Sequence, residues 1–307
     1  MITDLGAPLG GGQSARFSTV SYLPSLAAAT FVLLLVWAGA PGPLRWPAAW
    51  RTVSGLGAGE LVALALALTL SAVVTMPLQL SMVRLLEGYW PEYLGAVTAL
   101  LRRFQLLRRD RLARRAELTG PDEPTRARVV AAGVAGAELR RRYPPADLVR
   151  ATGLGNALAA AEHRAGAGYG WDGVVAWPRL YPLLTDQVRV IVDARRDMLD
   201  TCARLTVTGA VTAVVSVVLL WHSGWWLLLA LVPLAVGQLA YLGAIRTATA
   251  YGESLVVAFD LCRFELFKAA HLPLPDDLGA EKDLAAALSL QWRQGVPLNR
   301  TYHHDSG

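Results

Sequence analysis

Forty-one consecutive residues, Leu205–Ile245, carry no formal charge when His222 is neutral. A helix of about 20 apolar residues crosses the hydrocarbon core of a bilayer. The run is interrupted only by the polar residues His222-Ser223-Gly224, so it predicts a hairpin of two spans, 205–221 and 225–245. Tryptophans flank the turn, where interfacial aromatic side chains are expected: Trp221, Trp225 and Trp226.

Two earlier segments have the same character. Residues 61–80 are twenty residues without charge, and residues 23–40 are almost wholly apolar. Segment 23–40 also resembles a signal peptide, because Ala38-Gly39-Ala40 resembles a cleavage site. The long, charge-balanced stretch before it and Pro41 directly after it favour an uncleaved span. The sequence therefore predicts an all-α integral membrane protein with four transmembrane helices.

The arginines set the predicted orientation. Loop 41–60 holds two, the 222–224 turn holds none, and residues 82–204 hold twenty. Positively charged loops stay in the cytoplasm. The N-terminal tail 1–22, the arginine-rich segment 81–204 and the tail 246–307 are therefore expected in the cytoplasm of a bacterial cell, with the spans in its plasma membrane.

Composition and motif spacing argue against several other classes of protein. The chain is 54% hydrophobic and 17% charged, with a net charge of +5, whereas soluble domains carry about 25% charged residues. Nearly all the basic residues are arginine, as in proteins of high-GC bacteria, and no basic face carries interleaved aromatics, so no nucleic-acid partner is expected. The two cysteines, Cys202 and Cys262, form no zinc-binding spacing.

The segment between spans two and three predicts a helical cytoplasmic module. Residues 97–118 have helical apolar spacing with arginines opposite. This helix could bind an anionic lipid surface, pack one face on the module with the other in solvent, or form a docking surface for another subunit. Its apolar positions are Val97, Leu100, Leu101, Phe104, Leu107 and Leu112. Thr152 is the expected N-cap of a helix near 153–166. Gly153-x-Gly155 lacks the other marks of a nucleotide site.

Long helices are expected on both sides of the hairpin. Residues 186–204 run directly into span three, and residues 244–270 continue span four without a breaker. Another short helix is predicted at 280–293, so the C-terminal tail is also helical. Residues spaced by three and four in the continuation of span four predict a seam of coiled-coil type, with the extensions of spans three and four forming a long antiparallel pair. The seam residues are Leu255, Phe259, Cys262 and Leu266.

An aromatic stretch, GYGWDGVVAWPRLYPLL at 168–184, separates two of these helices. Its rings are expected to form the apolar centre of the module, with docking at the lipid headgroups as the alternative. They are Tyr169, Trp171, Trp177 and Tyr181.

Motifs for catalysis are scarce: no GxSxG, HExxH or P-loop lysine occurs. One cluster of polar side chains is expected in the cytoplasmic module. It consists of Glu162, His163, Asp172 and Arg179, with Asp186, Glu253 and Asp260 as expected neighbours. Ion pairing within the module is the favoured interpretation. His303-His304-Asp305 could hold a metal but lies at the chain end. No catalytic, cofactor or metal residue is predicted.

The spans contain no Asp, Glu, Lys or Arg, which argues against a self-contained coupled transporter. Thr208, Thr212 and Ser216 are four residues apart and share one helix face, suited to helix packing or to lining a pore. We therefore expect a multi-pass, non-enzymatic membrane protein that forms an oligomeric scaffold or pore-like assembly. Its expected partners are the bilayer and a second copy or another protein at the module. The alternatives are a membrane-anchored enzyme or sensor and a subunit of a larger complex.

Overall fold

The computed structural model describes residues 14–118 and 125–298, and their side chains except those of 14–23 and 71–83. Every regular element in this part of the chain is helical, which confirms the all-helical prediction. The α-helices are α1 Ser14–Trp37, α2 Trp46–Ser54, α3 Ala58–Leu86, α4 Gly95–Ala116, α5 Arg126–Arg142, α6 Gly153–Arg164, α7 Gly173–Leu180, α8 Asp186–Leu220, α9 Leu231–Ala269 and α10 Leu278–Gln294. The tail 1–13 and His303-His304-Asp305 lie outside the described residues.

The described chain forms two compact units. The apolar unit contains residues 14–86 and Leu199–Ala244, and the arginine-rich unit contains Glu87–Met198 and 245–298. Helices α8 and α9 each contribute residues to both units, and each has a charged segment adjoining an uncharged one.

Two helices are long and apolar enough to cross a membrane, Asp186–Leu220 and Gly224–Ala269. A third candidate is the pair α2 and Ala58–Leu70, which bends by 112° between its two helices. The described apolar helix Pro24–Trp37 is shorter than a span, and α1 ends there because the following turn places Gly39 at φ +109°. The structure thus supports two or three spans among the described residues, and the four-span arrangement remains a prediction.

The predicted loop 41–60 contains an additional helix, α2. Helix α2 has Pro47 in its first turn, where a missing amide hydrogen costs nothing. Its predicted neighbour, span 61–80, lies inside the longer α3.

Helix α6 is the most deeply enclosed element of the arginine-rich unit. All eight residues from Leu154 to Ala161 are buried, and five of them are glycine or alanine. As predicted, Thr152 is the N-cap, and its hydroxyl accepts a hydrogen bond from the Gly155 amide at 3.0 Å. The side chains are small because neighbouring backbones approach closely: a Cβ on Gly155 would collide with the Glu87 carbonyl oxygen. Gly155 therefore serves packing.

The continuation of α9 supplies the other half of this core. The predicted seam of Leu255, Phe259, Cys262 and Leu266 is buried throughout, together with Tyr251 and Phe267. Gly252 lets α9 approach α6, because a Cβ there would press on Ala161. The seam contacts the aromatic stretch, as described below.

Candidate functional site

The hydroxyl face of α8 lies inside the apolar unit. Ser216 is 0% exposed, Thr212 is buried and Thr208 is half-buried. The Thr212 hydroxyl donates to the Thr208 carbonyl at 2.7 Å, and the Ser216 hydroxyl donates to the Thr212 carbonyl at 2.6 Å. The two buried hydroxyls thus donate within their own helix, and neither leaves an unpaired donor.

A glycine contact next to this face brings α8 against α9. A Cβ on Gly209 would lie 2.7 Å from the Gly237 Cα and 2.8 Å from the Pro233 carbonyl oxygen. The backbones can approach so closely only because both residues lack side chains. Small residues at a helix interface are the usual means of packing helices in lipid, where the hydrophobic effect does not hold helices together.

The polar residues singled out in the arginine-rich unit are not brought together. Glu162 pairs with Arg150 at 3.2 Å, and His163 is exposed. Asp172 caps α7 by accepting from the Val174 amide and pairs with Arg293. The Arg179 guanidinium lies 4.6 Å from the centre of the Trp292 ring. The four residues therefore occupy separate contacts and do not form a common site.

Their expected neighbours are also dispersed. Glu253 pairs with Arg141 at 2.7 Å, Asp260 accepts from the Tyr169 hydroxyl at 2.9 Å, and Asp186 pairs with Arg189. Within the described ranges, no group of three His, Cys, Asp or Glu side chains is placed to hold a metal ion.

The aromatic stretch lies against α9 and α10. Trp171 is 3% exposed, with ring centres 5.0 Å from Phe267 and 5.7 Å from Trp292, the latter stacked. Trp177, also buried, lies 5.8 Å from Tyr181 and 6.4 Å from Phe259. Tyr169 and Tyr181 are half-buried at the edge of this cluster. These rings join α7, α9 and α10 into one core.

A buried ion pair closes the same core and was not foreseen. Glu281 is 3% exposed and accepts from the Arg263 Nε at 2.7 Å. The Arg263 guanidinium also lies over the rings of Tyr169 and Phe264, at 3.9 and 4.3 Å. No local pattern reveals this pair, because its partners are on different helices eighteen residues apart.

Both tyrosines hold their protons more tightly than usual. Burial raises the pKa of Tyr181 to about 12, assisted by its hydrogen bond to Asp193 at 2.8 Å. The hydrogen bond to Asp260 raises the pKa of Tyr169. Each hydroxyl is therefore a neutral donor to a carboxylate at physiological pH.

Tryptophans gather in the apolar unit around the turn between α8 and α9. Trp225 and Trp226 stack at 4.1 Å, and Trp46 of α2 meets Trp226 edge-on at 5.8 Å. The Ser223 hydroxyl donates to the Gly42 carbonyl at 3.1 Å, which ties the turn to the segment before α2. Trp50, Trp221 and Trp225 remain largely exposed.

Comparison with protein-family models, curated proteins and solved structures found no match to this chain. Its function is therefore inferred from its own residues and their geometry.

Proposed function

We propose that this chain is a non-enzymatic membrane scaffold of the bacterial plasma membrane. Its apolar unit is embedded in the bilayer, and its arginine-rich unit lies in the cytoplasm, where copies of the chain associate. The observation that carries this proposal is the α8–α9 contact. Two helices long and apolar enough to cross a membrane meet at Gly209 and Gly237, with every buried hydroxyl of the adjoining face bonded within α8.

The tryptophans support embedding. Exposed indole rings are unfavourable in water but stable at the interface between headgroups and hydrocarbon. Trp221 and Trp225 at the turn and Trp50 on α2 are exposed in the single chain. Trp46 and Trp50 share one face of α2, with Arg51 on the other. Helix α2 is therefore suited to lie in the outer interface, which leaves α3 to cross the membrane alone.

The proposed topology has four spans with both termini in the cytoplasm. It follows from the absence of arginine in the 222–224 turn and the twenty arginines of 82–204. The first span, 23–40, includes the apolar helix Pro24–Trp37.

Self-association is supported by an exposed apolar stripe in the arginine-rich unit. Val190, Ile191 and Met198 of α8 are each more than half exposed. Between residues 186 and 200 this helix carries four aspartates and three arginines, so its charge is nearly balanced. An apolar stripe in a neutral setting suits another protein surface better than an anionic membrane.

Topology tests the proposal directly. In a Cys202→Ala/Cys262→Ala background, His222→Cys places a thiol on the exposed turn and Asp276→Cys places one in the exposed segment before α10. A membrane-impermeant maleimide should label position 222 in intact cells, and position 276 only after permeabilisation. Equal labelling of both positions in intact cells, or the reverse pattern, would contradict the proposal.

A further inference from the structure

One side of helix α4 makes hydrogen bonds through its polar side chains. The Arg102 Nε donates to the Val149 carbonyl at 2.9 Å, and its Nη2 donates to the Asp147 carbonyl at 2.8 Å. One and two turns further on, Gln105 accepts from the Tyr143 hydroxyl at 3.3 Å and Arg109 donates to the Pro144 carbonyl at 3.2 Å. This polar face binds the loop that follows α5, and α4 also packs along α5 itself. Because these contacts lie on one side of α4, the exposed apolar residues on its other side are not needed to hold the helix in place.

Those apolar residues form an exposed stripe on another face. Val97, Leu100, Phe104 and Leu107 follow one another at intervals of three, four and three residues and are 43% to 67% exposed. They therefore lie on a single face. Two of the six apolar positions expected on this side, Leu101 and Leu112, are half-buried toward the packed face instead.

Positive charge surrounds the stripe. Helix α4 contains seven arginines and one acidic residue, Asp110, which pairs with its neighbour Arg109. Arg103, Arg108 and Arg111 are exposed beside the stripe, and none of the three forms an ion pair within the part of the chain that the structure describes. The Arg108 guanidinium lies 4.4 Å from the centre of the Phe104 ring, at the edge of the apolar surface.

The chain also keeps this helix close to the membrane. Helix α3 ends at Leu86 and α4 begins at Gly95. The nine Cα-to-Cα steps between these two residues span at most roughly 30 Å when fully extended. Since the proposed function places α3 across the membrane, the start of α4 lies within that distance of the cytoplasmic end of α3.

We propose that α4 binds the anionic cytoplasmic leaflet through this face, an inference that rests on the proposed membrane embedding. Val97, Leu100, Phe104 and Leu107 enter the boundary between headgroups and acyl chains, and Arg103, Arg108 and Arg111 bind lipid phosphates. An apolar stripe flanked by unpaired arginines is complementary to an anionic interface. The stripe on α8, in contrast, lies among balanced charges and lacks this complementarity.

The test uses the full chain in nanodiscs of phosphatidylcholine, with or without phosphatidylglycerol. In the cysteine-free background, a nitroxide at Leu100→Cys reports the α4 face, and a nitroxide at Leu239→Cys, an exposed position of α9, reports membrane embedding. Collisions with oxygen mark a label in lipid, whereas collisions with a water-soluble nickel chelate mark a label in water. We expect the position-100 label to favour oxygen in the phosphatidylglycerol discs and nickel in the phosphatidylcholine discs.

Variants without two of the arginine charges show whether the arginines hold α4 at the anionic lipid. Arg103→Gln/Arg108→Gln should lower the ratio of docked to undocked α4 roughly 30-fold, since each arginine near an anionic surface contributes about fivefold to that ratio. The matched control, Arg126→Gln/Arg195→Gln, removes two exposed arginines from other helices of the same unit and should leave docking unchanged. Equal losses in the two variants would overturn the assignment to α4.

The two labels separate the failure of this inference from failure of the proposed function. If the position-239 label favours oxygen while the position-100 label favours nickel in both lipids, the chain is embedded and α4 is a solvated helix. If the position-100 label is shielded from both reagents in both lipids, a protein surface covers the stripe. Either result overturns lipid docking. A position-239 label that favours nickel overturns embedding itself.

Discussion

Gly155 lies where α6 meets the backbone of Glu87, and the atom in the way of a Cβ is a carbonyl oxygen that no side-chain rotation can move. We therefore expect Gly155→Ala to lower the free energy of unfolding by about 1–3 kcal/mol through overpacking. Gly133 of α5 is the matched control, because nothing lies within 4 Å of its would-be Cβ. Gly133→Ala should be neutral or stabilising by up to about 1 kcal/mol. Denaturant unfolding in detergent, followed by circular dichroism, measures both, and equal effects would contradict the packing role.

Tyr181 should make the arginine-rich unit sensitive to alkali. Its pKa is raised from 10.0 to about 12 in the folded chain, first by burial and then by the bond to Asp193. The folded state thus holds the proton more tightly, and this stabilisation is present below pH 10 and is lost as the pH rises toward 12. We expect Tyr181→Phe to flatten the fall in melting temperature over this range.

The control for the alkaline effect is Tyr93→Phe, which changes a tyrosine that is 84% exposed. Its melting temperature should fall with pH as in the unmodified chain. Parallel curves for all three proteins would show that Tyr181 contributes nothing to the pH dependence.

Single residues were predictable where their role is local. Thr152 caps α6 because a threonine before a helix can reach an amide three residues on, and a sequence shows that spacing directly. Gly155 and the pair of Arg263 with Glu281 have roles set by residues distant in the chain. No local pattern contains the Glu87 carbonyl or the side chain across the core, so these roles required the structure.

At the scale of the element, periodicity predicted helices well and their packed faces less well. The seam of α9 was predicted because large apolar residues at steps of three and four are buried against any apolar neighbour. Helix α4 has the same kind of spacing, yet the side that packs on α5 and its following loop carries Arg102 and Arg109, because the carbonyl groups of that loop need donors. Periodicity reports an apolar face but does not identify what that face contacts.

The hydroxyl face of α8 makes an element-scale prediction. Because the Thr212 and Ser216 hydroxyls bond to carbonyls of their own helix, Thr212→Val and Ser216→Ala preserve the packed shape and should each cost about 1 kcal/mol or less. Ser216→Leu places a larger side chain at a fully buried position and should cost about 1–3 kcal/mol. Unfolding in mixed micelles measures the three variants. If Ser216→Leu is tolerated like Ser216→Ala, the face is not a packed interface.

For the whole molecule, composition was sufficient to predict helices and apolar segments, and the count of four spans remains a prediction. An uncharged run shows that a segment can enter lipid, whereas turns decide how much of it is one straight helix. Gly39 ends α1, and a bend of 112° separates α2 from α3. Both depend on backbone geometry that hydropathy alone does not contain.

Assembly is the property of the whole molecule that distinguishes a scaffold from a pore. We expect the purified chain to be a discrete oligomer in detergent, and Ile191→Arg/Met198→Arg to dissociate it, because charges on the exposed stripe of α8 would have to be buried unpaired between copies. Leu274→Arg/Leu278→Arg, at exposed positions outside α8, should keep the mass unchanged. Light scattering measures the mass, and unchanged helical circular dichroism shows that each variant is folded.

Ion flux into proteoliposomes then distinguishes the two kinds of oligomer. The hydroxyls of Thr212 and Ser216 are enclosed in the apolar unit, so a passing ion cannot reach their oxygens. Vesicles containing the oligomer should therefore be as tight as empty vesicles. Flux that disappears in Thr208→Leu/Thr212→Leu, with the oligomeric mass unchanged, would instead place a conduction path along α8, since only a wetted face could respond to these two substitutions without loss of assembly.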